Sequence, residues 1–456
     1  FGATIIGISA DYAFHYLAHT TVGSDGRSTL DNVFTGLVTG MATSVVAFIG
    51  LTVLPFPGLR QIGVFMAVGL LASFLTVCLL FPVLHRSIAP GVRVPTCCTR
   101  SQIQTPKSWC ILLLVTLAAI PGLLSLEFSS DVRDFYAAPD NLLEDQEAII
   151  HALGGAADSR YLLVRATDTE ALLQAEERLR EAVGATSATG NAARLGGISS
   201  LIPSAAHQRE NLAIQRMLIN GEYLQAHMHE LGFSNAAQRD ALAGFPEDFR
   251  ALTPAVLEGL QLPVGLGGFL GCDAAECASW LPVPNKVSAH ALSVMLASQP
   301  GVVLVDPVAD INNRLARFHG TVLLVLGAGS GLITVMLALF WGWRLALRLA
   351  MLPVMSCVFS LAVCGYIDGH YSIVNLLALL LIIGVGLDYA IFRAFTRAED
   401  QPATSLAIAL SALTSVLAFG MLAFSSTPLI ASFGQTIAFG LVFAYLLSWC
   451  RFGVQA

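Results

Sequence analysis

Charged side chains are scarce in this sequence. Of its 456 residues, 12% are charged and 55% are hydrophobic, and the mean hydropathy is +0.70. An average soluble protein has about 25% charged residues. Apolar runs of about 18 to 25 residues, the length that crosses a bilayer, recur along the chain, and we count nine. The composition therefore predicts a polytopic α-helical membrane protein.

The common sequence signatures of enzymes are also missing. Lysine occurs only twice, at Lys107 and Lys286, and neither follows the glycine-rich run of a phosphate-binding loop. The chain has no HExxH, no CxxC pair and no nucleophile elbow. We therefore expect no cofactor, no metal and no nucleic-acid partner, and energy, if it is used, should come from an ion gradient.

Most of the nine cysteines lie in or beside apolar runs, where cysteine usually serves as a small apolar side chain. Cys272 and Cys277, in GCDAAEC, belong instead to a stretch of soluble composition. If that stretch is extracytoplasmic, the compartment permits a local disulfide. The spacing alone leaves open whether it forms.

An eleven-residue stretch occurs twice and organises the chain. Residues 4–14 read TIIGISADYAF and residues 381–391 read LIIGVGLDYAI, with six of eleven positions identical at an offset of 377. Asp11 and Asp388 are the only acidic residues deep within a long apolar run. Insertion scales place the cost of such a residue at roughly 2.5 to 3.5 kcal/mol, so it usually marks an ion or proton path.

The repeat continues beyond the Asp-Tyr pair. Residues 42–48 (ATSVVAF) match residues 413–419 (LTSVLAF) at five of seven positions, with an offset of 371. Both copies run in the same direction through the predicted spans. The sequence therefore predicts a parallel pseudo-two-fold repeat with its axis along the membrane normal.

Lysine and arginine counts in the short connections predict the orientation. If the long soluble stretch lies outside, Arg60 alone is in a short outer loop. Ten basic residues then lie on the inner side: Arg27, Arg86, Arg93, Arg100, Lys107, Arg344, Arg348, Arg393, Arg397 and Arg451.

We divide the chain into five parts and expect it to be a fragment that lacks three helices and one outer domain. The parts are the last three transmembrane helices of a first half (1–85), a cytoplasmic linker (86–107), the first transmembrane helix of a second half (108–126), an extracytoplasmic α/β domain (127–318) and the last five transmembrane helices (319–456).

Within the outer domain we predict strands at 159–166, 288–297 and 301–307, and helices at 168–183, 207–231 and 308–318. Residues 245–271 read as irregular or helical. Four apolar side chains could line a lipid path, although an ordinary core is the interpretation we favour: Met217, Met228, Phe233 and Phe249.

The two Asp-Tyr pairs are predicted to meet across the pseudo-two-fold axis. Asp11 would approach Tyr389, and Asp388 would approach Tyr12. Four small residues could let the two helix backbones close up: Gly7, Ser9, Gly384 and Gly386. Burial favours a neutral carboxylic acid and a hydrogen bond from a phenol favours the anion. The pairs are therefore candidates for a proton-operated switch.

Hydroxyl side chains at equivalent places on the neighbouring helices could support the relay, and bonding to their own helix is an equal alternative: Thr43, Ser44, Thr414 and Ser415. His15 and His19 follow Asp11 on the same helix face, but the second copy has Phe392 and Thr396 there. We therefore interpret the two histidines as residues of the inner surface.

The duplicated GxxxDY in a six-plus-six layout resembles the RND superfamily, and in particular its MMPL branch of lipid exporters. The resemblance implies proton-motive-force-driven export of lipid or hydrophobic substrates across the bacterial cytoplasmic membrane, through an outer porter-like domain. It implies that Asp11, Tyr12, Asp388 and Tyr389 relay protons. The partners would be the bilayer, the substrate and a second copy of the chain, with no nucleic acid. The fragment alone should not transport.

Two other classes share some of these features. An intramembrane aspartyl protease also uses two membrane carboxylates, and GVGLD at Gly384 is similar to its GxGD motif, but it has one residue more. A sterol-sensing receptor relative would share the superfamily fold. The drug-efflux branch uses a membrane lysine, and no predicted span here contains one.

Overall fold

The computed structural model divides the chain into two compact units, residues 1–137 with 311–456, and residues 138–310. The smaller unit falls within the predicted outer domain. The residues that the structure describes are 2–20, 25–54, 57–88, 106–152, 160–186, 195–220, 222–243, 249–257, 268–273, 275–283, 292, 296 and 299–449. Most of the predicted linker therefore lies outside them.

The larger unit is built from long apolar helices. They are α1 (Gly2–Ala18), α2 (Gly26–Val53), α3 (Pro57–Ile88), α4 (Pro106–Leu124), α10 (Pro307–Trp341), α11 (Trp343–Ile367), α12 (Ile373–Phe395), α13 (Gln401–Gly420) and α14 (Pro428–Ser448). Each of the nine predicted spans lies on one of them. Seven are long and apolar enough to cross a membrane, while α1 has 17 residues and the described apolar part of α4 is Val115–Leu124.

Helix α12 is the centre of this unit, because its apolar window is buried on all sides. A helix that is hydrophobic all round needs neighbours on every face, and α2, α11, α13 and α14 supply them. Its start is fixed by a capping box, in which Ser372 accepts from the Val374 amide and Asn375 accepts from the Ser372 amide.

The two helix triplets, α1 to α3 and α12 to α14, repeat the same close packing. A methyl group added at Gly63 would lie 2.7 Å from the Phe48 carbonyl oxygen, and one added at Gly434 would lie 2.7 Å from that of Phe419. These four residues are counterparts at the offset of 371. The parallel repeat that the sequence predicts is therefore also a repeat of contacts.

A short parallel pair, β1 (Glu127–Phe128) with β6 (His370–Tyr371), joins the start of the predicted outer domain to the residues before α12. The smaller unit has its own sheet, with strands β2 (Tyr161–Ala166), β3 (Gly268–Cys272), β4 (Cys277–Pro282) and β5 (Val302–Val305). All its neighbours are antiparallel, in the order β3-β4-β2-β5.

Five helices accompany this sheet: α5 (Asp140–Ala152), α6 (Thr169–Thr186), α7 (Ala205–Asn220), α8 (Glu222–Glu230) and α9 (Asn235–Ala243). Helix α6 begins after Asp168, whose carboxylate accepts from the Ala171 amide, and it packs on the sheet. Leu162 and Val164 of β2 form the core with Leu179 of α6. The predicted mixture of helices and strands is confirmed, with an antiparallel sheet.

Two predictions for the smaller unit are wrong. The strand predicted at 288–297 is helical at Leu292 and Leu296, its described residues, because their spacing of four places both on one helix face. In 245–271 we overlooked β3, whose short glycine-flanked run pairs with β4. Cys272 and Cys277 lie opposite each other in that pair, and the structure joins them by a disulfide.

The favoured interpretation of four apolar side chains as core is also wrong in part. Met217 is 76% exposed and Phe233 is 49% exposed, while Met228 and Phe249 are half-buried. Helices α7 and α8 do not belong to the core that α6 forms with the sheet. Their apolar side chains therefore remain available for other contacts.

Candidate functional site

The two aspartates lie at equivalent points of the two triplets. Asp11, on α1, is 2% exposed, and Asp388, on α12, is 3% exposed. Among the described residues, neither forms a salt bridge with a basic side chain. Two carboxyl groups are thus enclosed in the apolar helix cluster without a counter-charge.

Asp388 receives its hydrogen bonds from α2, which belongs to the other triplet. The Ser44 hydroxyl lies 3.0 Å from Asp388 Oδ2, and the Thr43 hydroxyl lies 3.5 Å from Oδ1. Gly40 leaves room for the carboxyl, since a methyl group added there would lie 3.1 Å from Oδ1. Thr43 also lies 2.9 Å from the Gly40 carbonyl oxygen of its own helix, so its single hydroxyl hydrogen can go to either acceptor, and both alternatives that the sequence left open are within reach.

Asp11 has a different environment at the equivalent place. Among the described residues, neither of its carboxyl oxygens has a hydrogen bond of normal geometry, and neither has the buried Ser415 hydroxyl. Thr414 donates to its own helix, at Leu410 and Ser411. The Ser411 hydroxyl lies beside the Asp11 carboxyl without forming a hydrogen bond of normal geometry. This site therefore keeps free hydrogen-bonding capacity.

The two tyrosines are as deeply buried as the aspartates. Tyr12 and Tyr389 are each 1% exposed, and among the described residues neither hydroxyl has a hydrogen bond of normal geometry, although Ser411 and Ser415 lie beside that of Tyr389. Each tyrosine lies within electrostatic range of both aspartates. The structure thus brings the four predicted relay residues into one cluster.

The small residues of the two Asp-Tyr helices do not close α1 against α12, and that prediction is wrong. A methyl group added at Gly7 would lie 3.0 Å from the Ala418 side chain on α13, and one at Gly384 would lie 3.0 Å from that of Ala47 on α2. The two contacts correspond in the repeat, because Gly384 is the counterpart of Gly7 and Ala418 is the counterpart of Ala47. Each Asp-Tyr helix fits its glycine face onto the second helix of the opposite triplet.

The other two small residues also contact neighbours other than the opposite Asp-Tyr helix. A methyl group added at Gly386 would lie 3.0 Å from the Ala444 side chain on α14. The Ser9 carbonyl oxygen accepts from the Ser73 hydroxyl on α3. Periodicity identified the buried faces but not the helices that cover them.

The interpretation of His15 as an inner-surface residue is wrong. His15 is 1% exposed, and its ring stacks on that of Phe392 at 3.4 Å between centroids and 16° between planes. Phe392 is its counterpart in the second copy. His19 is half-buried beyond the end of α1 and contacts Thr404 on α13, with 3.1 Å between Nε2 and Oγ1.

Sequence reasoning missed Gly40, Ser411 and Thr404. Gly40 and Ser411 are counterparts at the offset of 371, and each lies beside the aspartate of the opposite triplet. Extending the repeat alignment by three residues before Thr43 and Thr414 would have found them. Thr404 gives no such signal, because its role depends on the histidine that it faces.

The cluster as a whole gathers five titratable side chains among the apolar helices. It combines two carboxyl groups, two phenols and an imidazole, all nearly inaccessible, and several of their polar atoms have no fixed partner. Buried polar atoms are usually hydrogen-bonded, so a cluster of exceptions calls for a functional explanation.

No protein-family model and no curated protein matches the chain. Among solved structures, it is similar to SecDF in a super-membrane-facing form, with 13% identity and a TM-score of 0.45. It is also similar to SecDF, a translocon-associated membrane protein, from Thermus thermophilus, with 12% identity and a TM-score of 0.47. In both, the alignment covers 98% of this chain and 52% of the other, so the chain spans about half their length.

Proposed function

We propose that the chain forms part of a multi-pass, RND-type exporter that uses the proton-motive force to move lipid or lipid-like substrates out of a bacterial cytoplasmic membrane. The buried cluster of Asp11, Tyr12, Asp388 and Tyr389 supports this proposal most directly. Residues 127–318 would then lie on the extracytoplasmic side, which the distribution of Lys and Arg favours.

The ion is proposed to be a proton because of the ligands available. Asp388 is held by two hydroxyl groups, and Asp11 has no hydrogen-bond partner, so neither site offers the six or more oxygen ligands typical of a calcium site. A carboxyl group changes its charge by binding a proton without any further ligand. Moving one charge through the whole field releases about 2.3 kcal/mol per 100 mV, which is enough to bias a conformational equilibrium.

The crossed contacts provide the coupling between proton and conformation. Asp388 is bonded to α2 of the other triplet, and Gly7 packs on α13 of the other triplet. A change of charge at either carboxyl therefore alters contacts between the triplets rather than within one. Such a change is what relative movement of two halves requires.

An apolar cavity of about 480 Å³ supports a hydrophobic substrate. Leu59 and Ile62 of α3 and their counterparts Ile430 and Phe433 of α14 line it, at the ends of the helices that the proposed orientation places outside. Its volume is in the range of ligand-binding clefts, about 300 to 1,000 Å³.

A second cavity of about 360 Å³ shares Phe135 and Leu429 with the apolar one. Asp368, His370 and Asn375 are among the residues that line it. An apolar and a polar cavity with common walls match the two parts of an amphiphile, namely an acyl chain and a headgroup. We therefore prefer a lipid-like cargo to a purely apolar compound.

The proposal is tested with Asp11→Asn and Asp388→Asn, introduced into the gene of the source cells so that the chain keeps all its natural sequence. Inverted membrane vesicles are given an interior-acid gradient, and total lipid extract of the same cells serves as the substrate probe. We expect the extract to release protons from wild-type vesicles, as followed by a pH-sensitive dye, and from neither variant. Asn removes the titratable proton at nearly unchanged volume.

Asp31→Asn is the matched control, because Asp31 is an exposed acid on α2. It should behave like the wild type, and all three variants should show wild-type amounts of folded protein. Undiminished proton release in either relay variant would refute proton coupling through this cluster. A response to the substrate that continues after a protonophore collapses the proton gradient would favour a sterol-sensing receptor relative instead, because a receptor does not depend on that gradient.

A further inference from the structure

We propose that His15 and His19 form a proton path between Asp11 and the C-terminal end of α1, and that Asp388 has no equivalent path of its own. The inference rests on the proposed proton-coupled function and adds two residues to its relay. Protons that reach Asp388 would then pass through the Asp11 half of the cluster.

His15 is placed between the carboxyl group and the helix end. It lies one turn after Asp11 on α1, where side chains four residues apart are neighbours with about 6 Å between their Cβ atoms. Helical side chains lean toward the N-terminus, so the imidazole leans toward Asp11. Its Nδ1 atom is buried, and within the part of the chain that the structure describes neither this atom nor either oxygen of Asp11 has a hydrogen-bond partner.

A purely structural role does not explain this histidine. The ring fills space against Phe392, and phenylalanine itself fills the equivalent place in the second copy. Leaving a buried polar atom unsatisfied costs about 1 to 3 kcal/mol, which phenylalanine would avoid. The chain therefore keeps a costly titratable ring at a place where an apolar one fits.

His19 continues the path toward the end of α1. Its Nδ1–H donates to the His15 carbonyl oxygen at 2.8 Å, since a carbonyl can only accept. On its other side, Nε2 lies 3.1 Å from Thr404 Oγ1, which in turn lies 2.9 Å from Thr396 Oγ1. Thr396 uses its own hydrogen on the Phe392 carbonyl oxygen, at 2.6 Å.

Counting hydrogens shows that this chain of contacts responds to a proton. A threonine hydroxyl has one hydrogen, so Thr404 donates either to His19 or to Thr396. With neutral His19, one of those two contacts lacks a hydrogen. With protonated His19, Nε2–H donates to Thr404, Thr404 donates to Thr396, and every contact is satisfied. A proton on His19 therefore completes the network.

The surroundings make protonation of His19 transient. Burial lowers the pKa of the His19 imidazole, while its bond to the His15 carbonyl oxygen and the Asp400 carboxylate raise it in part. His15 and His19 also interact with each other. From α12, the ring that faces His15 is Phe392, which does not titrate. A relay residue has to release its proton as readily as it binds it.

Each transfer conserves the proton. Because His19 contacts the His15 carbonyl oxygen and not its ring, a bridging water carries the proton from the His19 imidazolium to the His15 imidazole. A proton leaves the imidazolium nitrogen of His15 for a carboxylate oxygen of Asp11, giving neutral imidazole and neutral carboxylic acid. A change of the His15 rotamer or one bridging water spans the remaining gap. The reverse transfer returns the proton toward His19.

Asp388 lacks each of these components. Its counterpart of His15 is Phe392 and its counterpart of His19 is Thr396. Both of its oxygens already lie within hydrogen-bond distance of a hydroxyl, that of Ser44 or that of Thr43. The duplicated relay is therefore asymmetric, with one carboxyl group connected to the helix end and the other reached across the cluster.

The experiment follows proton arrival at each carboxyl group in the purified chain in lipid nanodiscs. A rapid drop in pH is followed by time-resolved infrared spectroscopy of the carboxylic C=O bands, assigned with Asp11→Asn and Asp388→Asn. In the wild type we expect the Asp11 band to rise before the Asp388 band. In His15→Phe, both should rise about a hundredfold more slowly, the lower end of what a positioned acid–base group contributes.

His15→Phe keeps the ring stack, so a structural role predicts wild-type rates. His19→Gln, beyond the end of α1, is the second variant and should slow both bands as well, while His229→Gln, at an exposed position of α8, should change neither. Wild-type rates in both relay variants, or an Asp388 band that rises at the wild-type rate in His15→Phe, would overturn the inference. Carboxyl bands that do not respond to pH in any form would refute the proposed function itself.

Discussion

Ser44 and Ser415 occupy equivalent places in the two copies of the repeat, yet only Ser44 bonds to an aspartate. The Ser44 hydroxyl lies 3.0 Å from Asp388 Oδ2 and 3.0 Å from the Gly384 carbonyl oxygen, both on α12. Ser415 is fully buried, and its hydroxyl lies beside that of Tyr389 without forming a hydrogen bond of normal geometry to any described residue. Replacing each serine by alanine therefore makes the same chemical change with different structural consequences.

The expected magnitudes follow from these contacts. Ser44→Ala removes one interhelical hydrogen bond, which in membrane proteins stabilises by about 0.6 kcal/mol on average and up to about 1.7 kcal/mol. We expect a loss of stability within that range. Ser415→Ala removes a buried hydroxyl that contributes no bond, so it should leave stability unchanged or raise it.

The assay is reversible unfolding of the purified chain by SDS titration in mixed micelles, with infrared spectroscopy of the Asp388 C=O band. Ser44→Ala should lower the free energy of unfolding and shift the band to higher wavenumber, as expected when a hydrogen bond to the carboxyl is lost. Ser415→Ala should do neither. Equal destabilisation by the two variants would refute the asymmetry on which the proton path depends.

Two further predictions concern other parts of the chain. Burial raises the pKa of Glu176, which Ser279 contacts, above its ordinary 4.5. The stabilising effect of the neutral Glu176 is therefore full below pH 4.5 and is lost as pH rises through the raised pKa. Thermal unfolding at a series of pH values should show that Glu176→Gln loses less stability over this range than the wild type does. Gly365→Ala should lower the free energy of unfolding by about 1 to 3 kcal/mol, because its methyl group would overlap the Gly122 carbonyl oxygen. Gly331 has open space around it, so Gly331→Ala should leave the free energy of unfolding unchanged in the same assay.

The sequence allows the membrane helices and the parallel repeat to be predicted, because both depend on local composition and on matching segments. It does not identify which helix covers each buried face. Gly7 packs on Ala418 and Gly384 packs on Ala47. Periodicity alone would have allowed these glycine faces to pack equally well on the opposite Asp-Tyr helix. The hydrophobic pattern therefore does not decide which neighbouring helix a glycine face contacts.

His15 shows a different limit of sequence reasoning. Its absence from the second copy argued against a role in the relay, on the assumption that both halves act alike. In the structure, the residue that replaces it, Phe392, is the ring on which it stacks. A pseudo-symmetric pair of residues can thus form one contact across the axis and still have different chemistry on its two sides.

Under the proposed function, a hydroxyl group near each proton-binding residue would link the proton to a change of contact. Ser44 faces two acceptors on α12, and Thr404 faces His19 and Thr396, so the single hydrogen of each hydroxyl serves one of them at a time. Protonation of the neighbouring carboxyl or imidazole would change which one it serves, and an average interhelical bond contributes about 0.6 kcal/mol. The field would supply about 2.3 kcal/mol per charge per 100 mV, several times more. The proposed proton movement would therefore have enough energy to rearrange these contacts.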